Sequence, residues 1–273
     1  MLSGALLSLC LLFIDCLLNS KHIAGMPTLR RTLTAQGRQL RDPFADRASL
    51  ISRTLLANPG TSWNVRGLAE AAGVAPMLSS DVIRQLDANG IVATTPRGRQ
   101  LTVRLVRPQA LLDEWTTAYR WTRNAALQFA VATPNVARTL TRLARAAGKR
   151  RWALTLLSGA WQRIQYAPTE RIHLYMECDH LDEIRDLAEH EGWPPDTSGS
   201  LVIMRPTYRT SVWHGQSLAD SKHPPVVSDI QLILDLWHHA DRGRETAEQL
   251  WRPILRRFEA ANESTEERRI DND

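Results

Sequence analysis

The sequence predicts an α+β chain, an N-terminal winged helix-turn-helix followed by a mixed α/β domain. Three observations lead there. Residues 62–107 hold two short amphipathic helix patterns separated by Gly73, then two β-rich runs around an arginine-bearing turn. From residue 150 onward, helical and β patterns alternate, as they do in an α/β layer. Positive charge is concentrated early: residues 1–110 carry 13 Lys and Arg against 6 Asp and Glu, residues 111–273 carry 21 against 23. A local surplus says more about a nucleic-acid partner than the overall net charge of +5, because affinity follows local phosphate neutralisation.

Residues 46–58 read as an opening helix with Leu50, Ile51 and Leu55 inward and Asn58-Pro59-Gly60 ending it. Asn64 is placed to cap the next helix. Val65, Leu68, Ala69 and Ala72 recur at i, i+3, i+4, i+7, and Gly73 supplies a left-handed exit. Pro76 suits the first turn of a following helix, with Val82, Ile83 and Leu86 as its buried side and Asn89-Gly90 as its end. Ile91–Thr95 and Leu101–Val106 then form a hairpin around Pro96-Arg97-Gly98-Arg99-Gln100. On the second helix Ser79, Ser80, Asp81, Arg84 and Gln85 are expected to face outward. Ser80, Arg84, Gln85 and Ser79 suit base edges, Arg97 and Arg99 suit phosphates or the minor groove, and Arg66 suits the backbone. Asp81 opposes phosphates unless it pairs with Arg84 or Gln85.

After Pro108, Leu111, Leu112, Trp115 and Tyr119 mark a helix linking the wing to the second domain, and Pro134 interrupts the pattern. Val136, Leu140, Leu143, Ala144 and Ala147 define one face of the next helix, opposite a basic stripe of Arg138, Arg142, Arg145 and Lys149. That stripe is a second candidate nucleic-acid patch. Leu154, Leu157, Ser158 and Trp161 predict a helix, Arg171–Glu177 a half-buried strand, and Leu181–Ala188 a helix ended by Gly192. Leu201–Met204, Thr210–His214 and Val226-Val227 are short strand candidates, and Ser228 with Gln231 reads as a capping box. Ala247, Leu250, Trp251, Ile254, Leu255 and Phe258 bury the last helix, and a charged, frayed tail follows Ala261. The organisation is therefore lead-in 1–45, winged domain 46–107, connecting helices 108–150, α/β domain 151–260 and tail 261–273.

Residues 1–18 are almost wholly apolar, but no basic residue precedes Lys21 and Asp15 interrupts them. The expected start is Met26, with residues 1–25 a wrongly extended beginning; a membrane anchor is the alternative. Cys10, Cys16 and Cys178 lack metal-ligand spacing and fit a reducing cytoplasm. His238 and His239 point about 100° apart on a helix and cannot chelate together. No P-loop, dinucleotide fingerprint or nucleophile elbow occurs, so neither a cofactor nor a metal is expected. A nucleotidyltransferase would need Gly-Ser and two carboxylates alternating on the next strand. The nearest matches are Ser158-Gly159, in reversed order, and Glu177 with Asp179, while the strand offers His173 and Tyr175. Catalysis is not expected, and an active nucleotidyltransferase joined to a DNA-binding module is kept as the alternative.

The winged segment leading into Leu111-Leu112-Asp113-Glu114-Trp115, Trp152–Thr155, the strand Arg171–Tyr175, and Pro225–Leu236 followed by Arg242-Gly243 together resemble the AbiEi-type antitoxins of type IV toxin–antitoxin systems. The resemblance spans most of residues 48–256; Asp229 stands where the family carries proline. It implies a DNA-binding repressor of its own operon, binding double-stranded DNA at its own promoter; whether it binds as a homodimer is left open by the sequence. It further implies a functional partner in a nucleotidyltransferase-type toxin, countered by the second domain without a required stable complex. A degenerate nucleotidyltransferase-like fold is one form expected for that domain. A solitary regulator is the remaining alternative.

Overall fold

The computed structural model describes residues 41–98, 100–131, 136–219 and 223–270, and side chains as far as Ser264. It is a mixed α+β chain whose described residues form nine α-helices and two small sheets. The proposed start at Met26 and the apolar run 1–18 lie outside the described residues.

Helix α1 (Ser49–Ala57) is followed by β1 (Trp63–Asn64), α2 (Val65–Ala71) and α3 (Pro76–Ala88). The hairpin β2 (Val92–Arg97) and β3 (Gln100–Leu105) completes this N-terminal unit, with β1 paired antiparallel to β3. Local signals act as the residue types dictate. The Asn64 carboxamide oxygen accepts from the Gly67 amide at 2.7 Å, satisfying one orphan donor of α2. Gly73 has φ +65°, the left-handed geometry that lets the chain leave α2 within one turn.

Helix α4 (Pro108–Ala118) leads through a 3₁₀ turn at Trp121–Arg123 to β4 (Ala125–Phe129). Then come α5 (Val136–Ala147), β5 (Trp152–Leu154), α6 (Leu156–Ile164), β6 (Ile172–Met176), α7 (Asp182–His190) and β7 (Leu201–Arg205). A 3₁₀ turn at Ser211–Trp213 precedes α8 (Asp229–Leu236) and α9 (Gly243–Ile270). The second sheet runs β4-β7-β6-β5, with β6 and β7 parallel and both outer pairs antiparallel. Helix α6 packs on β6, α8 and α9 pack on α6, and α7 lies against β4.

Several expectations need correction. β4 lies inside the stretch read as connecting helices, because its pairing partners are 72 to 80 residues later in β7 and leave no local trace. Leu154 ends β5 rather than opening a helix. β6 is buried on both faces, since it is flanked by β7 and β5 and covered by helices; alternation in its sequence does not mean a wet side. Ser211–Trp213 is a 3₁₀ turn, not a strand. The tail past Ala261 is helical to Ile270. Ala, Glu and Arg favour helix, and the tail's start is pinned: Ala261 sits where a side chain on Gly60 would be, 2.1 Å from that missing Cβ, and Arg104 donates to Asn262.

The two halves share one buried polar seam. Asp235, on α8, accepts through Oδ1 from Tyr119 (2.6 Å), Tyr175 (2.9 Å) and Gln231 (2.8 Å), and through Oδ2 from Thr155. Gln231 in turn accepts from Arg53 of α1 at 2.5 Å. The Gln231 amide donates to Ser228 Oγ as the capping box requires, but its side chain turns inward to this network instead of back to the helix start. Arg53 lies 5.1 Å over the Trp115 ring, which stacks on Phe44. Asp46 meanwhile accepts from the amides of Thr210 and Ser211. The contacts of Phe44, Asp46 and Arg53 join the first sixty residues to this second-half network and its surroundings.

Breaking one side of a buried charged network costs more than removing both sides. Gln231→Leu should therefore lower unfolding free energy by about 3 kcal/mol, and Gln231→Leu with Arg53→Met by clearly less than the two single losses summed. A urea double-mutant cycle should read a coupling of about 1–3 kcal/mol.

Candidate nucleic-acid interface

Helix α3 buries a wide arc. Val82, Ile83 and Leu86 face the core as expected, but so do Ser79, Asp81 and Gln85, all 3% exposed or less. The expected outward placement of those three is therefore corrected. At 100° per residue, positions 81 and 85 extend the arc begun by 79, 82, 83 and 86 to more than half the helix circumference, because α3 packs against both α2 and β2. Ser79 Oγ donates to the Val65 carbonyl at 3.4 Å and so ties the two helices together.

The surface strip that remains is narrow: Met77, Ser80 and Arg84, with Asp87 at its far edge. Met77 is 69% exposed. Arg84 projects into solvent, where its guanidinium pairs with Asp81 at 2.6 Å and donates to the Ser80 carbonyl at 3.3 Å. Asp81 thus neutralises an arginine rather than facing phosphates, the pairing the i, i+3 spacing offers. Arg66 at the start of α2 and Arg97 on the hairpin are exposed. Arg97 pairs with Gln100 across a turn whose Gly98 has φ +61°, so the hairpin tip projects with Arg97 at its base. Arg99 lies outside the described residues.

The basic stripe of α5 divides. Arg142 bonds Glu191 at 2.9 Å and lies 5.3 Å over the Trp193 ring, so it is committed to packing α5 on the end of α7. Arg138, Arg145 and Lys149 remain exposed. Val136 and Ala144 of the same helix, expected in the core, are exposed as well; Val136 and Ala144 border a groove instead.

The acidic residues nearest to a catalytic pattern are occupied otherwise. Glu177 pairs with Arg151 at 2.5 Å, and that bond holds its carboxyl below the usual range. Asp179 pairs with Arg209 at 2.7 Å. Cys178 is buried and burial pushes its thiol pKa up, the opposite of a reactive thiolate. His238 Nε2 meets the Thr116 carbonyl, and His239 Nδ1 the Ala240 carbonyl. Among the described residues no cluster of three His, Cys, Asp or Glu is placed to hold a metal ion, and no helix is long and apolar enough to cross a membrane.

A family model described as transcriptional regulator, AbiEi antitoxin of a type IV toxin–antitoxin system, matches residues 104–255. The chain belongs to this family. Nothing among curated proteins or solved structures matches it. The match begins within β3, so it covers the second half and leaves α1 through α3 to be read from their own geometry.

His173 sits in β6 with its Nδ1 buried and unpartnered, 5.8 Å edge-on from the His239 ring. Burial first, then His239 and Arg171, lower its pKa to about 4. An unfolded histidine takes a proton near pH 6.5, so between these values the unfolded state binds more protons and stability falls as pH falls. From pH 7 to 5 the loss from this residue is about 2 kcal/mol. His173→Phe should remove that part of the pH dependence, read as a smaller difference between urea denaturation curves at the two pH values.

Proposed function

We propose that this AbiEi-family regulator binds double-stranded DNA through residues 46–107 acting as a winged helix-turn-helix. Helix α3 enters the major groove and the hairpin lies along the adjacent backbone. The observation that carries the reading is the strip formed by exposed Met77 and Arg84 with half-buried Ser80, beside a hairpin that exposes Arg97, on the half of the chain that holds the positive surplus. Arg84 is the base-reading residue, Ser80 assists it, and Arg66, Arg97 and Arg99 neutralise phosphates. Ser79 and Gln85 are removed from this set by their burial.

The DNA bound is the chain's own promoter, bound in the cytoplasm as a homodimer, so that the protein represses its own operon. Residues 108–260 counter a nucleotidyltransferase-type toxin without a required stable complex and without catalysis of their own. The ion-paired state of Glu177 and Asp179 supports the non-enzymatic reading, because carboxylates that hold metal ions must keep their lone pairs free of arginine.

Titration of a labelled upstream promoter fragment tests the DNA reading. Arg84→Ala should cost about 1–3 kcal/mol of discrimination between promoter and random duplex. Arg97→Ala should weaken both duplexes alike and reduce the slope of log affinity against log salt by about 0.9. Unchanged binding in both variants would return the unit to a role in protein contacts.

A further inference from the structure

A groove of about 540 Å³ opens between α5, α6 and the start of β6, away from the α3 strip and the hairpin. Its apolar wall is Val136, Leu140 and Ala144 on α5. Facing it stands Trp161 of α6, 37% exposed although it is one of the largest apolar side chains in the chain. Gln162 and Arg171 complete the opposite side. No Asp or Glu is among the described residues that line the groove.

Arg142, Arg150, Arg151, Arg163, Arg209 and Arg244 each pair with a carboxylate. Arg171 and Arg145 make no ion pair among the described residues. Arg145 stands one helical turn after Thr141, which lines the groove, so its guanidinium belongs to the α5 rim. Arg171 precedes β6 and is exposed on the facing rim. The Gln162 carboxamide makes no hydrogen bond among the described residues.

We infer that this groove binds single-stranded nucleic acid, one base stacking on Trp161 and flanking phosphates pairing with Arg171 and Arg145. An exposed indole between unpaired cations is the arrangement that holds a strand without reading its sequence. The volume suits one nucleotide and excludes a duplex. A helical peptide would need a continuous apolar floor, and here Thr141, Gln162, Thr169 and Arg171 interrupt it. The site is separate from the α3 strip, so it stands or falls independently of the promoter reading.

Anisotropy titrations of the full chain with fluorescein-labelled dodecamers of thymidine and of uridine test it, beside a random 20-base-pair duplex. Trp161→Ala should weaken the single strands by roughly tenfold or more and leave the duplex unchanged, while Trp161→Phe restores most of the loss by keeping a ring. Arg171→Ala should reduce the salt slope for single strands by about 0.7. Tighter binding of one dodecamer names the strand as DNA or RNA. The inference is overturned if both variants bind the dodecamers as the parent does, or if single-strand binding is lost instead with Arg84→Ala and Arg97→Ala. It is also overturned if an acidic helical peptide occupies the groove and no dodecamer does. A thermal melt of each variant separates lost binding from lost folding, Trp161→Phe and Arg171→Ala being the changes with least structural cost.

Discussion

The buried carboxylate of Asp235 is the constraint around which the rest of this molecule is arranged. A fully buried carboxylate is tolerated only when donors replace its water, and four converge on it from four elements: Tyr119 after α4, Thr155 after β5, Tyr175 in β6 and Gln231 one turn earlier on α8. Burial still raises its pKa, against the pull of those donors. The same site pushes Tyr119 and Tyr175 well above the usual phenol range, so both remain donors. Asn124 adds a donor to Tyr175 at 2.9 Å. Each of these elements is tied to the one carboxylate by its own hydrogen bond.

Arg53 extends this network into the N-terminal unit. Its guanidinium is buried, and burial is the main influence lowering its pKa, with Asp235 among the groups that oppose the shift. One nitrogen donates to Gln231, whereas Nε and Nη1 find no partner among the described residues. Stacking on Trp115 and proximity to Tyr208 supply part of what those donors lack. A cation held this way is sensitive to any relative movement of α1 and α8. The position of the N-terminal unit and the integrity of the Asp235 network are therefore one mechanical property.

What the sequence made legible was local. Asn64, Gly73, Pro76 and Gly90 act within a turn of their own positions, and they place α2, α3 and the hairpin where the pattern predicts. Ser228 likewise marks the start of α8. The elements that were misread depend on distant partners: β4 on β7, β5 on β6, and the reach of α9 on Gly60. In the candidate interface, Arg84 could be placed outward because it lies opposite the Val82, Ile83 and Leu86 face. Ser79 and Gln85 could not, because a polar residue satisfied inside a helix junction has the same one-letter signature as one facing solvent. The Asp235 network had one hint, a lone acid within the apolar run Ile230–Leu236, but its donors lie up to 116 residues away.

The family match begins at residue 104, inside β3, yet the fold does not divide there. Helix α1 touches both β3 and α8, Phe44 stacks on Trp115, and Ser49 bonds Ser211 at 3.0 Å. The far end of α9 returns to Gly60 and Arg104. Ordinary contacts between domains of one chain leave room for relative motion. Here the bonds are directional, and two of them, Arg53–Gln231 and Ser49–Ser211, are buried, so α1 belongs as much to the second half as to the unit it opens. A regulator built this way has its N-terminal unit fixed to its second half by these bonds. A displacement of α8 in the second half is therefore felt in α1 through the Arg53–Gln231–Asp235 line.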